Sequence, residues 1–280
     1  MKKTILSIVT VAMLFLGTEL SQAQVKLPPA SSTTTIIQGL GIKNIILSYQ
    51  RPSAKGRKVF GGLVPYSEIW RTGANNIPTI TLDEDLTIEG NAVPAGTYGL
   101  FTIPTPTEWT VILSKNPKQW GAYQYKKEDD FLRFKVKPQK LTNKVETFTI
   151  TFEDVTTNST NISLAWENTR VAFAITTDQS KEIMDSIEEA MEGEKKPYFQ
   201  AAQYYFNNNL DIKKAVDWIK LADEGNTNAP HIKYWKSRIL AKGGDKAGAK
   251  KSAQEGIEMA TKAKNGEYIK LNTEALNAVK

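Results

Sequence analysis

Between Lys43 and Arg71 the chain sets six cationic side chains, Lys43, Arg51, Lys55, Arg57, Lys58 and Arg71, against a single acid, Glu68. Like charges this close repel, so a fold that gathers them loses stability unless an anion or an acidic partner offsets the charge. Arg51 and Arg71 bring planar five-donor forks that match carboxylate or phosphate, whereas Lys55 and Lys58 bring point charge. Trp70 and Tyr66 offer flat walls among them, and Asn75 and Asn76 offer amides that orient a polar ligand. These residue types point to a binding site of Arg51, Lys55, Arg57, Glu68, Trp70, Arg71, Asn75 and Asn76 that takes an anion or a glycan. A structural reading stands beside it: Trp70 plugs a core, Arg71 ties loop carbonyls together, and the lysines are solvated.

Other chemistry is narrowly bounded. The 280 residues hold no Cys and one His. That excludes disulfides, a Cys nucleophile, Cys zinc sites and two-His metal motifs. Asp83-Glu84-Asp85 and Glu128-Asp129-Asp130 lack the spacing of a calcium loop and read as solvated turns. His231 follows Pro230 at a helix start, a place for capping or exposure. Ser53 beside Lys55 would make a dyad only with a buried lysine. No metal and no cofactor is expected. Two function classes follow. One is a noncatalytic binding or protein-interaction module. The other is a hydrolase or transferase acting on envelope or dietary polymers, with Glu68 as acid or base. Glycoside hydrolysis would ask for a second carboxylate within about 5–10 Å of it.

The elements that must position these residues change character once. Before Asp178 the apolar pattern has period two: Leu132, Phe134 and Val136 alternate with Arg133, Lys135 and Lys137, and Phe148, Ile150 and Phe152 alternate with threonines. Ile162, Leu164 and Trp166, then Val171, Phe173 and Ile175, repeat the alternation. Further strands are expected at 33–37, 44–49, 77–82, 86–89, 97–103 and 109–114. Many short strands without long intervening helices predict an antiparallel β-sandwich, jelly-roll-like, over 24–177.

After Asp178 the spacing becomes helical. A first helix is expected to about Glu192, with Ile183, Met184, Ile187 and Met191 on one face. Residues 209–215 align with 243–249 at an offset of 34, the tetratricopeptide period. Phe199, Ala202 and Phe206 fit the first helix of a repeat, and Ala215, Ile219 and Ala222 fit the second. The second copy departs at Lys233, where a large apolar residue is usual. Residues 178–280 are therefore expected to form an α-helical, tetratricopeptide-like hairpin domain, closed by a helix over 265–279. The overall class is α+β.

Lys2 and Lys3, an apolar run at 5–16 and Ser21-Gln22-Ala23 make the three parts of a secretory signal over residues 1–23. The run is too short for a membrane span. The expectation is an exported protein, periplasmic or secreted after cleavage near Ala23, with no span in the mature chain. The net charge of +6 is not laid out as a basic stripe, so nucleic acid is not expected as a partner. A protein partner is expected at the helical repeats.

The stretch from Tyr49 to Asn76, with Arg51-Pro52, Gly61-Gly62-Leu63-Val64-Pro65 and Trp70-Arg71-Thr72-Gly73-Ala74-Asn75-Asn76, resembles the signature of the bacterial exported family named domain of unknown function 2911. Pro94-Ala95-Gly96-Thr97-Tyr98, Trp109-Thr110-Val111-Ile112, Trp120-Gly121-Ala122-Tyr123 and Val145-Glu146-Thr147-Phe148 extend the likeness over 31–176. The resemblance implies export and an origin mostly in Bacteroidetes. It brings no activity, cofactor or catalytic residue with it.

Overall fold

The structure, a computed structural model, describes residues 27–226 and 228–279. The expected leader lies outside them. The chain divides between Thr177 and Asp178 into two compact units.

Among the described residues the first unit holds β1 (Ser32–Leu40), β2 (Lys43–Arg51), β3 (Thr79–Leu82), β4 (Leu86–Ile88), β5 (Asn91–Val93), β6 (Gly96–Ile103), β7 (Trp109–Ser114), β8 (Asp130–Val136), β9 (Gln139–Glu153) and β10 (Ser159–Thr176). One sheet runs β1-β2-β3-β6-β7-β8 and the other β5-β4-β10-β9, with antiparallel pairing throughout. Alternation sends Leu47, Ile80, Leu100 and Val111 of the larger sheet into one core with Ile88, Ile150, Leu164 and Phe173 of the smaller, as a sandwich requires. The Tyr49 hydroxyl ties the sheets inside that core, donating to the Ile150 carbonyl at 3.0 Å and accepting from the Ile150 amide at 2.9 Å.

Two strand expectations change. The segments at 162–166 and 171–175 are one strand, β10. Ile162, Leu164 and Trp166 are buried on even numbers, and Val171, Phe173 and Ile175 on odd ones. A bulge absorbs the change of phase: the β9 register slips on both sides of Glu167, whose φ is 54°. The Glu167 carboxylate accepts from the Val59 amide at 3.1 Å, which anchors the loop after β2. Strand β5, only three residues long, carries too little alternation to be seen in the sequence.

The second unit holds α1 (Ser180–Glu192), α2 (Tyr198–Asn207), α3 (Ile212–Glu224), α4 (Pro230–Lys242), α5 (Lys246–Lys262) and α6 (Gly266–Ala278). None of these is long and apolar enough to cross a membrane. The 34-residue offset appears as equivalent caps. Asp211 accepts from the Lys213 amide at 2.8 Å at the start of α3, and Asp245 from the Gly248 amide at 2.8 Å at the start of α5. Ala202, Ala215, Ile219 and Ala222 are buried in one cluster with Tyr205 and Ile232, while Phe199 and Phe206 pack at its edge.

Lys233, out of place as an apolar position, is buried as an ion. Its Nζ lies 2.9 Å from Asp223 and 2.7 Å from Glu255, and Lys236 Nζ lies 2.6 Å from Asp223. Burial pushes the Asp223 carboxyl up, but the hydrogen bonds from Lys233 and Lys236 outweigh it and hold the group below its ordinary value. Burial likewise pulls Lys233 down, and its bonds to Asp223 and Glu255 raise it above its ordinary value.

Candidate functional site

The outer face of the six-stranded sheet carries a cleft. Where Leu47, Tyr49 and Ile80 point into the core, Ser48, Gln50 and Thr79 point out. The register aligns Thr35, Ser48, Thr79, Gly99 and Ser114 in one row across five strands. Gly99 leaves space in that row: a Cβ there would sit 2.4 Å from Ile77 Cδ1 and 3.1 Å from the Asn116 carbonyl oxygen. The missing side chain lets these neighbours press on the sheet. Ile77, Phe101 and Ile112 form a small buried cluster on this side, with Ile69, Ala122 and Tyr125 packed around it.

Backbone bonds stitch the wall of the cleft to the turn after Trp70. The Gly121 amide donates to the Asn75 carbonyl at 2.7 Å and the Ile77 amide to the Gln119 carbonyl at 3.2 Å, around an antiparallel bridge between Asn76 and Trp120. With its backbone held, Trp120 is still 61% exposed as a residue, and Tyr123 is 80% exposed. The two rings stack with centroids 5.9 Å apart and planes at 22°.

The cleft encloses about 580 Å³, lined by Thr33, Ser48, Gln50, Asn76, Thr79, Lys118, Gln119, Trp120 and Gln124 with Tyr49, Ile77 and Pro117. Among the described residues Lys118 is its one charged lining residue. Gln50 is set by two bonds: its Nε2 donates to Thr33 Oγ1 at 3.4 Å and its Oε1 accepts from the Asn76 amide at 3.2 Å. Gln119 is 4% exposed. Its Nε2 donates to the Asn116 carbonyl at 2.9 Å, and its Oε1 is buried with no protein partner. An acceptor left so costs about 1–3 kcal/mol.

The eight residues expected at a site have different surroundings. Arg51 donates through Nε to the Phe148 carbonyl at 3.2 Å and through Nη2 to Thr149 Oγ1 at 2.9 Å, tying β2 to β9. Arg57 donates to the carbonyls of Ala54 at 2.9 Å and Ser53 at 2.8 Å, bracing its own turn. Lys55 has an exposed side chain, and its amide donates to Glu146 Oε1 at 2.6 Å. Glu68 is exposed on its loop. Trp70 packs into the sandwich core, stacked on Trp166 at 5.9 Å and 18° and edge-on to Phe60, Trp109 and Phe148. None of the eight shares a side-chain hydrogen bond or ion pair with another of them among the described residues.

Arg71, Asn75 and Asn76 belong to the cleft side. Thr72 has a φ of 56°, is fully buried, and bonds through Oγ1 to the Trp70 carbonyl at 3.2 Å and to Thr102 Oγ1 at 3.0 Å. A β-branched residue at positive φ is strained, and here it turns the chain between Trp70 in the core and Asn76 in the cleft. Arg71 Nη1 lies 3.8 Å from the Cβ position of Gly121, and its Nε is buried with no protein partner. The charge reading passed over Gln50, Gln119, Trp120 and Tyr123. Their signal in the sequence was the outward phase of Gln50 on β2 and a Trp-Gly-Ala-Tyr loop too polar on either side to be a strand.

Fold and cleft define a β-sandwich protein with a loop-walled polar groove on its larger sheet, followed by a helical unit. The chain belongs to the family described as "protein of unknown function (DUF2911)", which matches residues 31–175. No curated protein and no solved structure matches it.

Proposed function

We propose that this is an exported, noncatalytic binding protein whose strand unit takes a polar ligand in the cleft and whose helical unit engages a protein partner. The carrying observation is the lining of the cleft, where the side-chain amides of Gln50, Asn76, Gln119 and Gln124 share one concave site and Gln50 is already held by Thr33 and the Asn76 backbone. Few, fixed polar groups in a concave site are what a ligand pocket needs. The basic loop supports this reading less well than its charge suggested, because Arg51 and Arg57 are engaged with carbonyls. The hydrolase or transferase reading draws no support from the cleft, since Glu68 does not line it. Export rests on the three-part leader pattern.

Thermal melting of the chain lacking residues 1–23, against a panel of envelope and dietary oligosaccharides and small anions, tests the site. At least one compound should raise the Tm, since a ligand stabilises the state it binds, and Asn76→Ala should abolish the rise. A rise that survives Asn76→Ala places the site elsewhere. For export, mass spectrometry of the native protein should find it beginning after Ala23, and an intact Met1 would refute the leader.

A further inference from the structure

The identity of the lining groups narrows the ligand class. Resting on the cleft reading above, we propose that the ligand is a neutral oligosaccharide, one sugar ring lying among Gln50, Asn76 and Gln119 and an adjacent ring stacked on the Trp120–Tyr123 pair.

Hydrogen-bond parity favours a sugar. Amide side chains present donors and acceptors together, as sugar hydroxyls do. Carboxylate, sulfate and fully ionised phosphate only accept. Such an anion would answer the amide donors alone and set the amide oxygens of the lining against negative charge. A hydroxyl group answers both.

Charge favours a neutral ligand as well. Among the described residues Lys118 is the single charged one that lines the cleft. Arg71 adjoins Gly121 without lining it, and Arg51 and Arg57 are committed to carbonyls. An anion drawn into the cleft would exchange part of its hydration for one cation, a poor exchange. A neutral polyol has no such charge to desolvate.

The aromatic pair favours a sugar too. Large aromatic side chains normally bury most of their area, yet Trp120 and Tyr123 are mostly exposed. The packing of Tyr123 against Gly121 and the Asn76–Trp120 bridge anchor the pair to the wall of the cleft. The C–H face of a pyranose is apolar and carries slight positive charge, which suits the negative face of an aromatic ring. Trp120 belongs to both surfaces, lining the cleft and forming the platform, so a chain of sugars passes from one to the other without a break.

Isothermal titration calorimetry of the chain lacking residues 1–23 tests this. The probes are the neutral hexasaccharides of cellulose, xylan, mannan, starch and chitin, with phosphate, citrate and hexagalacturonate as anions. At least one neutral hexasaccharide should bind. Trp120→Ala should weaken it by roughly tenfold or more with an unchanged Tm, because the ring is exposed. Should an anion bind and lose affinity in Asn76→Ala while no neutral sugar binds, the ligand class is wrong and the cleft reading survives. Binding of a neutral sugar that is indifferent to Trp120→Ala overturns the platform. If no probe binds, both readings fail.

Discussion

The ring of Tyr123 lies against the backbone of Gly121: a Cβ at Gly121 would stand 2.8 Å from two of its ring carbons, and the φ of 73° there already disfavours any side chain. Gly121→Ala is therefore expected to push Tyr123 off Trp120 and to add about 1–2 kcal/mol of backbone strain. Oligosaccharide binding should fall as it does in Trp120→Ala, and Trp fluorescence should change. Full affinity in the alanine variant would show that the stacked pair is not the binding surface.

Arg51 and Lys58 separate structural from solvated charge. Arg51→Ala removes two charge-assisted bonds between β2 and β9 and should lower stability by about 1.5–3 kcal/mol. Lys58 is exposed, and Lys58→Ala should stay within about 0.5 kcal/mol. Urea denaturation measures both. If Arg51→Ala keeps its stability but loses affinity for phosphate, the arginine serves a ligand instead.

Trp70 sits where rings from both sheets meet. Trp70→Ala should cost about 3–5 kcal/mol, the range for large core side chains, with oligosaccharide affinity retained in whatever fraction remains folded. A loss below about 1 kcal/mol would place the ring outside the core.

The buried ion cluster of the helical unit sets a pH dependence. Asp223 is held below its ordinary 3.8, so its contribution is present above that value and lost as pH falls through the lowered folded value. Lys233 is raised above its ordinary 10.5, so its contribution is complete below that and lost as pH rises through the raised folded value. Helical-unit stability, followed by far-UV circular dichroism, should be flat between and fall at both ends. Lys233→Ala strands a buried carboxylate with Lys236 alone and should cost about 3–5 kcal/mol. A variant as stable as the parent, with the same acid limb, would refute the cluster's role.

The sandwich was readable because one buried face imposes period two, and Leu47, Ile80, Phe134, Phe148 and Leu164 each announced a strand by that rule. The helices were readable for the same reason at period 3.6, and the 34-residue offset marked the repeat. Two positions misled the pattern. A single strand, β10, looked like two, because a bulge at Glu167 and a turn both shift the phase of alternation. Lys233 looked like a defect, because its partners lie 10 residues before it and 22 after it and meet only when α3, α4 and α5 pack.

The site was the least legible part. By itself the sequence determined which side chains alternate inward, that thiol and two-His chemistry are excluded, and that cations cluster between Lys43 and Arg71. Tertiary structure alone decided that Arg51 answers the Phe148 carbonyl and the Thr149 hydroxyl of a distant strand, and that Gln50, Asn76, Gln119 and Trp120, drawn from three separate segments, share one cleft. Charge can be counted along a chain, but a hydrogen bond needs a partner within about 3 Å, and only the pairing of distant strands and loops supplies or withholds it.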